Sequence, residues 1–211
     1  EGQVRALLAA AKARGDDLYV FVCLCLFAGL RRGEALGLKW GDFDFTVDQV
    51  HIQRDIDFTG STAVDGTLKT EAADRFVPIP EDLKVMLLPK RESADAYVFH
   101  TPSGAPLPQA SYKRMWSRLM LEGGCVEGRE LKPGTSRPDD ILKQVKPTLT
   151  PHYFRHNYVT LLYESGIDPL VAMKIVGHTD YQTTANIYTH LKEDTLRRAS
   201  VNMEKVFAKR S

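Results

Sequence analysis

Apolar positions recur at helical spacing along most of this chain and alternate in strand fashion only near its middle. Residues 3–14 read as an amphipathic helix, and residues 17–28 as a second helix that is apolar nearly all round. The apolar run 18–30 is too short to cross a bilayer and ends in Gly29 and a charged cluster, so it belongs in a core. Gly29 breaks that helix, and residues 32–38 form a short third one. A turn at Trp40, Gly41 and Asp42 leads into alternating stretches at 43–45 and 50–58, joined by a turn around Val47 and Asp48. Residues 59–66 are mostly small and read as a loop. Residues 67–70 and 75–79 then frame a hairpin around 71–74.

Helical spacing returns after Pro80. Residues 81–88 and 109–121 fit helices, the second with Tyr112, Trp116 and Leu119 inward, and a short extended piece at 97–100 lies between them. Residues 122–147 have no period and read as a long loop or insertion, a length that in compact domains usually has a function. Thr150 is a good N-cap with Pro151 at the first helical position, and Gly166 ends that helix. Asp168-Pro169 repeats the start signal and Gly177 the stop. Residues 183–190 fit a short helix, and residues 194–209 a last one with an apolar stripe. The pattern predicts a mainly α, α+β fold with one small antiparallel sheet.

Composition changes this picture little. The 211 residues suffice for one well-cored domain, and 43% hydrophobic with 26% charged residues is ordinary for a soluble globular protein. No signal peptide opens the chain, and the absent initiator Met and abrupt start point to a fragment of a longer protein. Three cysteines make no disulfide framework and no Cys-x-x-Cys pair; they read as reduced thiols of a cytosolic protein. A net charge of +1 does not advertise nucleic acid, but it hides basic clusters at Arg31, Arg32 and Lys39, at Lys113, Arg114 and Arg118, and at Lys143 and Lys146.

The candidate chemistry lies in six residues: Arg31, Lys69, His152, Arg155, His178 and Tyr188. Arg31 follows a glycine-broken helix end, where a guanidinium can hold two phosphate oxygens or simply pair with Glu34. Lys69 precedes a hairpin turn and is either a solvated lysine or a mobile cation that protonates a leaving oxygen. His152 and Arg155 lie three apart, on one helix face near its N-terminus, which favours anions. His156 makes a His-x-x-x-His pair with His152, but Tyr153 stands where a zinc protease helix has Glu, and no carboxylate ligand follows at metal-like spacing. His178 follows Gly177 and either caps the preceding helix or serves the site. Tyr188 is the candidate nucleophile and Tyr181 its competitor, while Tyr153, Tyr158 and Tyr163 read as packing. Cations around a phosphate with a phenol beside them suit attack on a phosphodiester.

In this order the strings Gly29-Leu30-Arg31-Arg32-Gly33-Glu34, Leu68-Lys69-Thr70, Pro151-His152-Tyr153-Phe154-Arg155-His156, Val176-Gly177-His178 and Thr183-Thr184-Ala185-Asn186-Ile187-Tyr188-Thr189-His190 resemble the tyrosine recombinases, or phage integrase family. The resemblance is greatest to integrases of phages or conjugative transposons. It spans nearly the whole chain apart from residues 122–147, and Tyr153-Phe154 departs mildly from the commoner aliphatic residue before the arginine. It implies a helical catalytic domain with a small antiparallel three-stranded sheet at 1–193. A helical tail at 194–211 would dock on a neighbouring protomer or on its own domain. By the same resemblance, the family's N-terminal core-binding domain is expected to be absent from this chain.

For activity the resemblance implies site-specific recombination of double-stranded DNA at core sites. Tyr188 would attack the phosphorus, and Arg31 and Arg155 would grip its oxygens. Lys69 would protonate the 5′ oxygen. His152 would accept the tyrosine proton and His178 would bond a phosphate oxygen, roles that sequence leaves interchangeable. Glu34 and His156 are supporting residues. No cofactor, ATP or metal is expected. The implied partners are a homo-tetramer on DNA, assembled through the tail, and an accessory directionality factor. The expected place is the cytoplasm, at the nucleoid, with no membrane contact. The alternatives are relaxation of the type IB topoisomerase kind, a DNA-binding module without catalysis, and a His-x-x-x-His metal hydrolase.

Overall fold

The structure, a computed structural model, describes residues 2–14, 17–59, 62–66, 71–128, 145–177 and 188–189. Helices α1 (Gly2–Arg14) and α2 (Asp17–Phe27) lead into the short α3 (Arg32–Leu36). After the strands come α4 (Glu81–Leu87), α5 (Gln109–Glu122), α6 (Pro151–Glu164) and α7 (Pro169–Val176). The core forms around α2, which is buried from Leu18 to Leu26 apart from Tyr19. Phe21 meets Phe99, Tyr112 and Trp116 with ring centroids 5.6–6.1 Å apart, so the inward face expected of α5 is the one observed. Packing of these rings fixes the platform under α3.

Gly29 explains how α2 gives way to α3. Its φ of +64° is the left-handed conformation that glycine adopts without strain, and a Cβ there would lie 2.2 Å from Cδ1 of Tyr158. The glycine therefore turns the chain and lets α6 close on it. At the other end of α7, Gly177 has φ +69° and ends that helix as its position predicted. Asp168 caps α7, its carboxylate accepting from the N–H groups of Leu170 and Val171. Thr150 sits at the N-cap of α6, but its hydroxyl makes no capping bond.

Strands β1 (Phe43–Asp44), β2 (Gln49–Ile52) and β5 (Arg75–Pro78) form the expected three-stranded antiparallel sheet in the order β1-β2-β5. The stretch expected to run from 50 to 58 is split, and its second part, β3 (Asp55–Thr59), pairs elsewhere. The break falls at Gln53 and Arg54, whose side chains bond the buried carboxylate of Asp42, Arg54 also bonding the Gly37 carbonyl. Residues 59–66 are not simply a loop: β4 (Thr62–Gly66) pairs with β3. Its core-side residue is the small Ala63 and its larger apolar residue, Val64, is exposed, so apolar and polar types do not alternate along it. The expected loop 122–147 begins and ends in an antiparallel pair, β6 (Val126–Gly128) with β7 (Val145–Pro147). Among the described residues, no helix is long and apolar enough to cross a membrane.

Candidate active site

The organising group is the carboxylate of Glu34, on α3 and 2% exposed. Its Oε1 accepts from Arg31 Nη1 at 2.6 Å and from Arg75 Nη1 at 2.9 Å. Its Oε2 accepts from the Arg31 backbone N–H at 2.8 Å and from Arg75 Nη2 at 3.0 Å, with Arg155 Nη1 3.7 Å away. Three guanidinium groups thus surround one carboxylate, leaving a formal charge of +2. Burial alone would raise the Glu34 pKa; hydrogen bonds from Arg75 and the charges of Arg75, Arg155 and Arg31 overcome it and hold the group at about 2.

The same arginines cap α7. The Ile175 carbonyl accepts from Arg75 Nε at 2.8 Å, the Val176 carbonyl from Arg155 Nη2, and the Gly177 carbonyl from Arg31 Nη2 at 3.0 Å. A helix end leaves such carbonyls without helical partners and carries partial negative charge, so cations suit it. Arg155 also donates to the Gly29 carbonyl at 2.8 Å. Burial lowers its pKa to about 9 against the opposing pull of Glu34, which still leaves it charged at neutral pH.

Arg31 and His152 line one cleft of about 580 Å³, together with Arg32, Asp55, Tyr112 and Trp116. Arg31 keeps 39% of its side chain exposed there. The guanidinium of Arg32 lies 5.1 Å from the ring centroid of Phe58 and 5.6 Å from that of Tyr112, cation–π contacts that brace it. Trp116 anchors the wall by donating to the Leu149 carbonyl at 3.2 Å, just before α6 begins. The cleft therefore meets Arg31, Arg32 and the N-terminus of the 14-residue α6, which favour an anion on that side, while the carboxylates of Asp55 and Asp57 also belong to its lining.

Sequence expected His152 and Arg155 to share a helix face, but the structure separates them. His152 is exposed at the cleft, whereas Arg155 is 2% exposed and reaches the site from beneath, through Glu34. Helix α6 turns Phe154, Arg155, Tyr158 and Leu162 inward, which leaves His152, Tyr153 and His156 on its outer side. Tyr153 is thus exposed rather than packed, and His156 does not line the cleft. Among the described residues, no three His, Cys, Asp or Glu side chains gather as a metal-ligand group. Lys69, His178 and Tyr181 lie outside the described residues, as do residues 129–144 and 194–211.

Tyr188 makes its described hydrogen bond and ring contact outside the arginine cluster. Its hydroxyl donates to the Ile167 carbonyl at 3.1 Å, and its ring meets Tyr163 edge-on at 5.0 Å. Tyr163 stands near the C-terminal end of α6, eight residues beyond Arg155, or ~12 Å along the helix. Burial, then Asp168 and Tyr163, raise the phenol's pKa. Sequence reasoning missed Arg75 altogether. Strand β5 and the residue after it alternate inward at 75, 77 and 79, so an arginine in phase with Val77 and Ile79 was the available signal of a buried ion pair.

Fold and site together define a mainly helical domain with an arginine cluster beside an open cleft. The chain belongs to the phage integrase family, whose family model matches residues 1–195. It is 28% identical over 203 residues to the tyrosine recombinase XerC-like protein of Caldanaerobacter subterraneus, covering 84% of this chain and 46% of that protein. It is 26% identical over 179 residues to the ICEBs1 integrase of Bacillus subtilis, covering 81% and 44%. The chain spans about half the length of these relatives. In fold it is similar to the Tn1549 transposon integrase, solved in complex with transposon right-end DNA, with a TM-score of 0.66 at 24% identity over 95% of this chain and 63% of that one.

Proposed function

We propose that this chain is the catalytic domain of a site-specific DNA recombinase that cuts one strand through Tyr188. The observation that carries this reading is the sharing of Glu34 by Arg31, which lines the cleft, and Arg155, buried behind it, two residues brought together from distant parts of the chain. Family membership and the DNA in the complex of the similar Tn1549 integrase support duplex DNA as substrate.

Arg31 takes a non-bridging oxygen of the scissile phosphate in the cleft, and Arg155 supports it from below. Charge on those oxygens grows as the phosphorus becomes pentacoordinate, so fixed cations stabilise that state more than the ground state. Tyr188 attacks the phosphorus, giving a 3′-phosphotyrosyl bond and a free 5′ hydroxyl. Lys69 protonates the leaving oxygen, and His152 and His178 share proton acceptance and phosphate binding. The covalent bond preserves the phosphoryl group for attack by a new 5′ hydroxyl, so religation needs no ATP. Glu34 orients the arginines. Four such domains exchange four strands, with residues 194–211 linking protomers. Attack first requires the phenol to leave the Ile167 carbonyl, in its own subunit or toward another.

Nicked suicide duplexes of randomised core sequence test the reading. The expected result is a covalent protein–DNA band on a denaturing gel, enriched for one core sequence. Duplex binding with no band would instead leave a DNA-binding module. Relaxation of plasmids without site preference would favour a topoisomerase.

A further inference from the structure

We infer that Arg75 is a positioning residue for strand cleavage, setting the geometry and charge of the arginine cluster through Glu34; this rests on the strand-cleavage reading above. Arg75 is 7% exposed and cannot itself reach a duplex in this conformation. It grips both oxygens of Glu34, at 2.9 and 3.0 Å, and donates to the carbonyls of Ala73 and Ile175 at 3.0 and 2.8 Å. One planar group therefore ties together three parts of the chain. These are the turn that follows the Lys69 segment, the helix behind Arg31, and the end of α7 that precedes His178. Gly177 permits that approach, since a Cβ there would lie 2.8 Å from Arg75 Cδ.

The electrostatic consequence concerns Arg31. Both Glu34 oxygens are shared between Arg31 and Arg75. Without Arg75 the same carboxylate would fall on Arg31 and Arg155 alone, and the formal charge of the cluster would drop from +2 to +1. Arg31 would then meet a phosphate already largely neutralised. Lysine cannot replace Arg75, because one ammonium cannot span two carboxylate oxygens and two carbonyls in a plane.

Glu34 faces Arg31, Arg75 of β5, Arg155 of α6 and the Cys25 thiol of α2. Losing Arg75 removes its strongest cationic partner and lets burial raise its pKa. An acid-side limb should therefore enter the cleavage profile of Arg75→Gln at a pH where the wild-type rate is flat.

The test measures single-turnover adduct formation with saturating suicide duplex from the randomised pool, across pH. Each protein is held below its own melting temperature. Arg75→Gln and Arg75→Lys should each cleave about 100-fold more slowly than wild type, the scale of losing one preorganised electrostatic contact. Their duplex affinity should change by no more than roughly threefold. Arg75→Lys, which keeps the charge, decides the matter if Arg75→Gln does not fold. Cleavage by folded Arg75→Lys at the wild-type rate would overturn the proposal, as would a loss that merely tracks the unfolded fraction or, in folded Arg75→Gln, a pH profile without the new limb. Absence of adduct from the wild-type protein would overturn the strand-cleavage reading first, and this proposal with it.

Discussion

The cluster around Glu34 and the seat of Tyr188 are held by different forces. The first joins three arginines, one carboxylate and the last carbonyls of α7, and two of the guanidiniums are almost fully buried. Breaking such a buried pair costs about 3–5 kcal/mol, because the surviving charge has no solvent. Tyr188 is 7% exposed, held by one described hydrogen bond and by an apolar cluster that includes Tyr158, Val159, Leu162, Ala172 and Val176, with no ion pair among its described contacts. A single neutral hydrogen bond contributes only about 0.5–1.5 kcal/mol net. Under the proposed mechanism, the groups that would bind a phosphate are therefore built in, while the group that would attack it is more weakly held. That division suits a reaction in which cutting should wait for the correct assembly.

The sharpest break of this contrast is Tyr188→Phe. Adduct formation should fall to background on a denaturing gel, while duplex affinity and melting temperature stay near wild type, since only the bond to Ile167 is lost. A persistent band would shift the nucleophile to another tyrosine, Tyr181 first. On the rigid side, Glu34→Gln should cost about 3–5 kcal/mol of stability by denaturant titration, because Arg75 and Arg155 would keep their charges without an anion. Acid sharpens that test. The carboxyl is depressed from 4.5 to about 2 in the folded protein, so its stabilisation is complete above the unfolded value and is lost as pH falls toward 2. Melting temperatures taken between pH 6 and pH 2 should fall more steeply for wild type than for Glu34→Gln. Parallel curves would mean that Glu34 is not the acid-sensitive group.

The same contrast governs how much sequence could reveal. Gly29 and Gly177 were legible because a left-handed turn has few other solutions, and Pro151 and Asp168 because helix starts are local chemistry. Arg31, Arg155 and Glu34 were legible as residue types at familiar spacings, but not as one cluster. Their meeting depends on α6 closing over Gly29 and α7 ending beside Arg75. The division of the middle strands was hidden because it is decided by Asp42, eleven residues before Gln53 in the chain. The resting partner of Tyr188 is a backbone carbonyl, and no side-chain pattern announces one.

A smaller change addresses the detachable side alone. Tyr163 meets the Tyr188 ring edge-on, a geometry worth about 0.5–1.5 kcal/mol beyond simple burial. Tyr163→Leu keeps an apolar neighbour and removes the ring. If leaving the Ile167 seat is part of the barrier to cleavage, this substitution should speed single-turnover adduct formation by a few-fold, and by no more than about tenfold for a contact of that size. Duplex affinity should not change, because Tyr163 does not line the cleft. An unchanged rate would mean that release of the phenol is fast and that the chemistry at the arginines sets the pace. A slower rate would mean that Tyr163 also shapes the attacking arrangement, and the detachable seat would then be part of the machinery it was contrasted with.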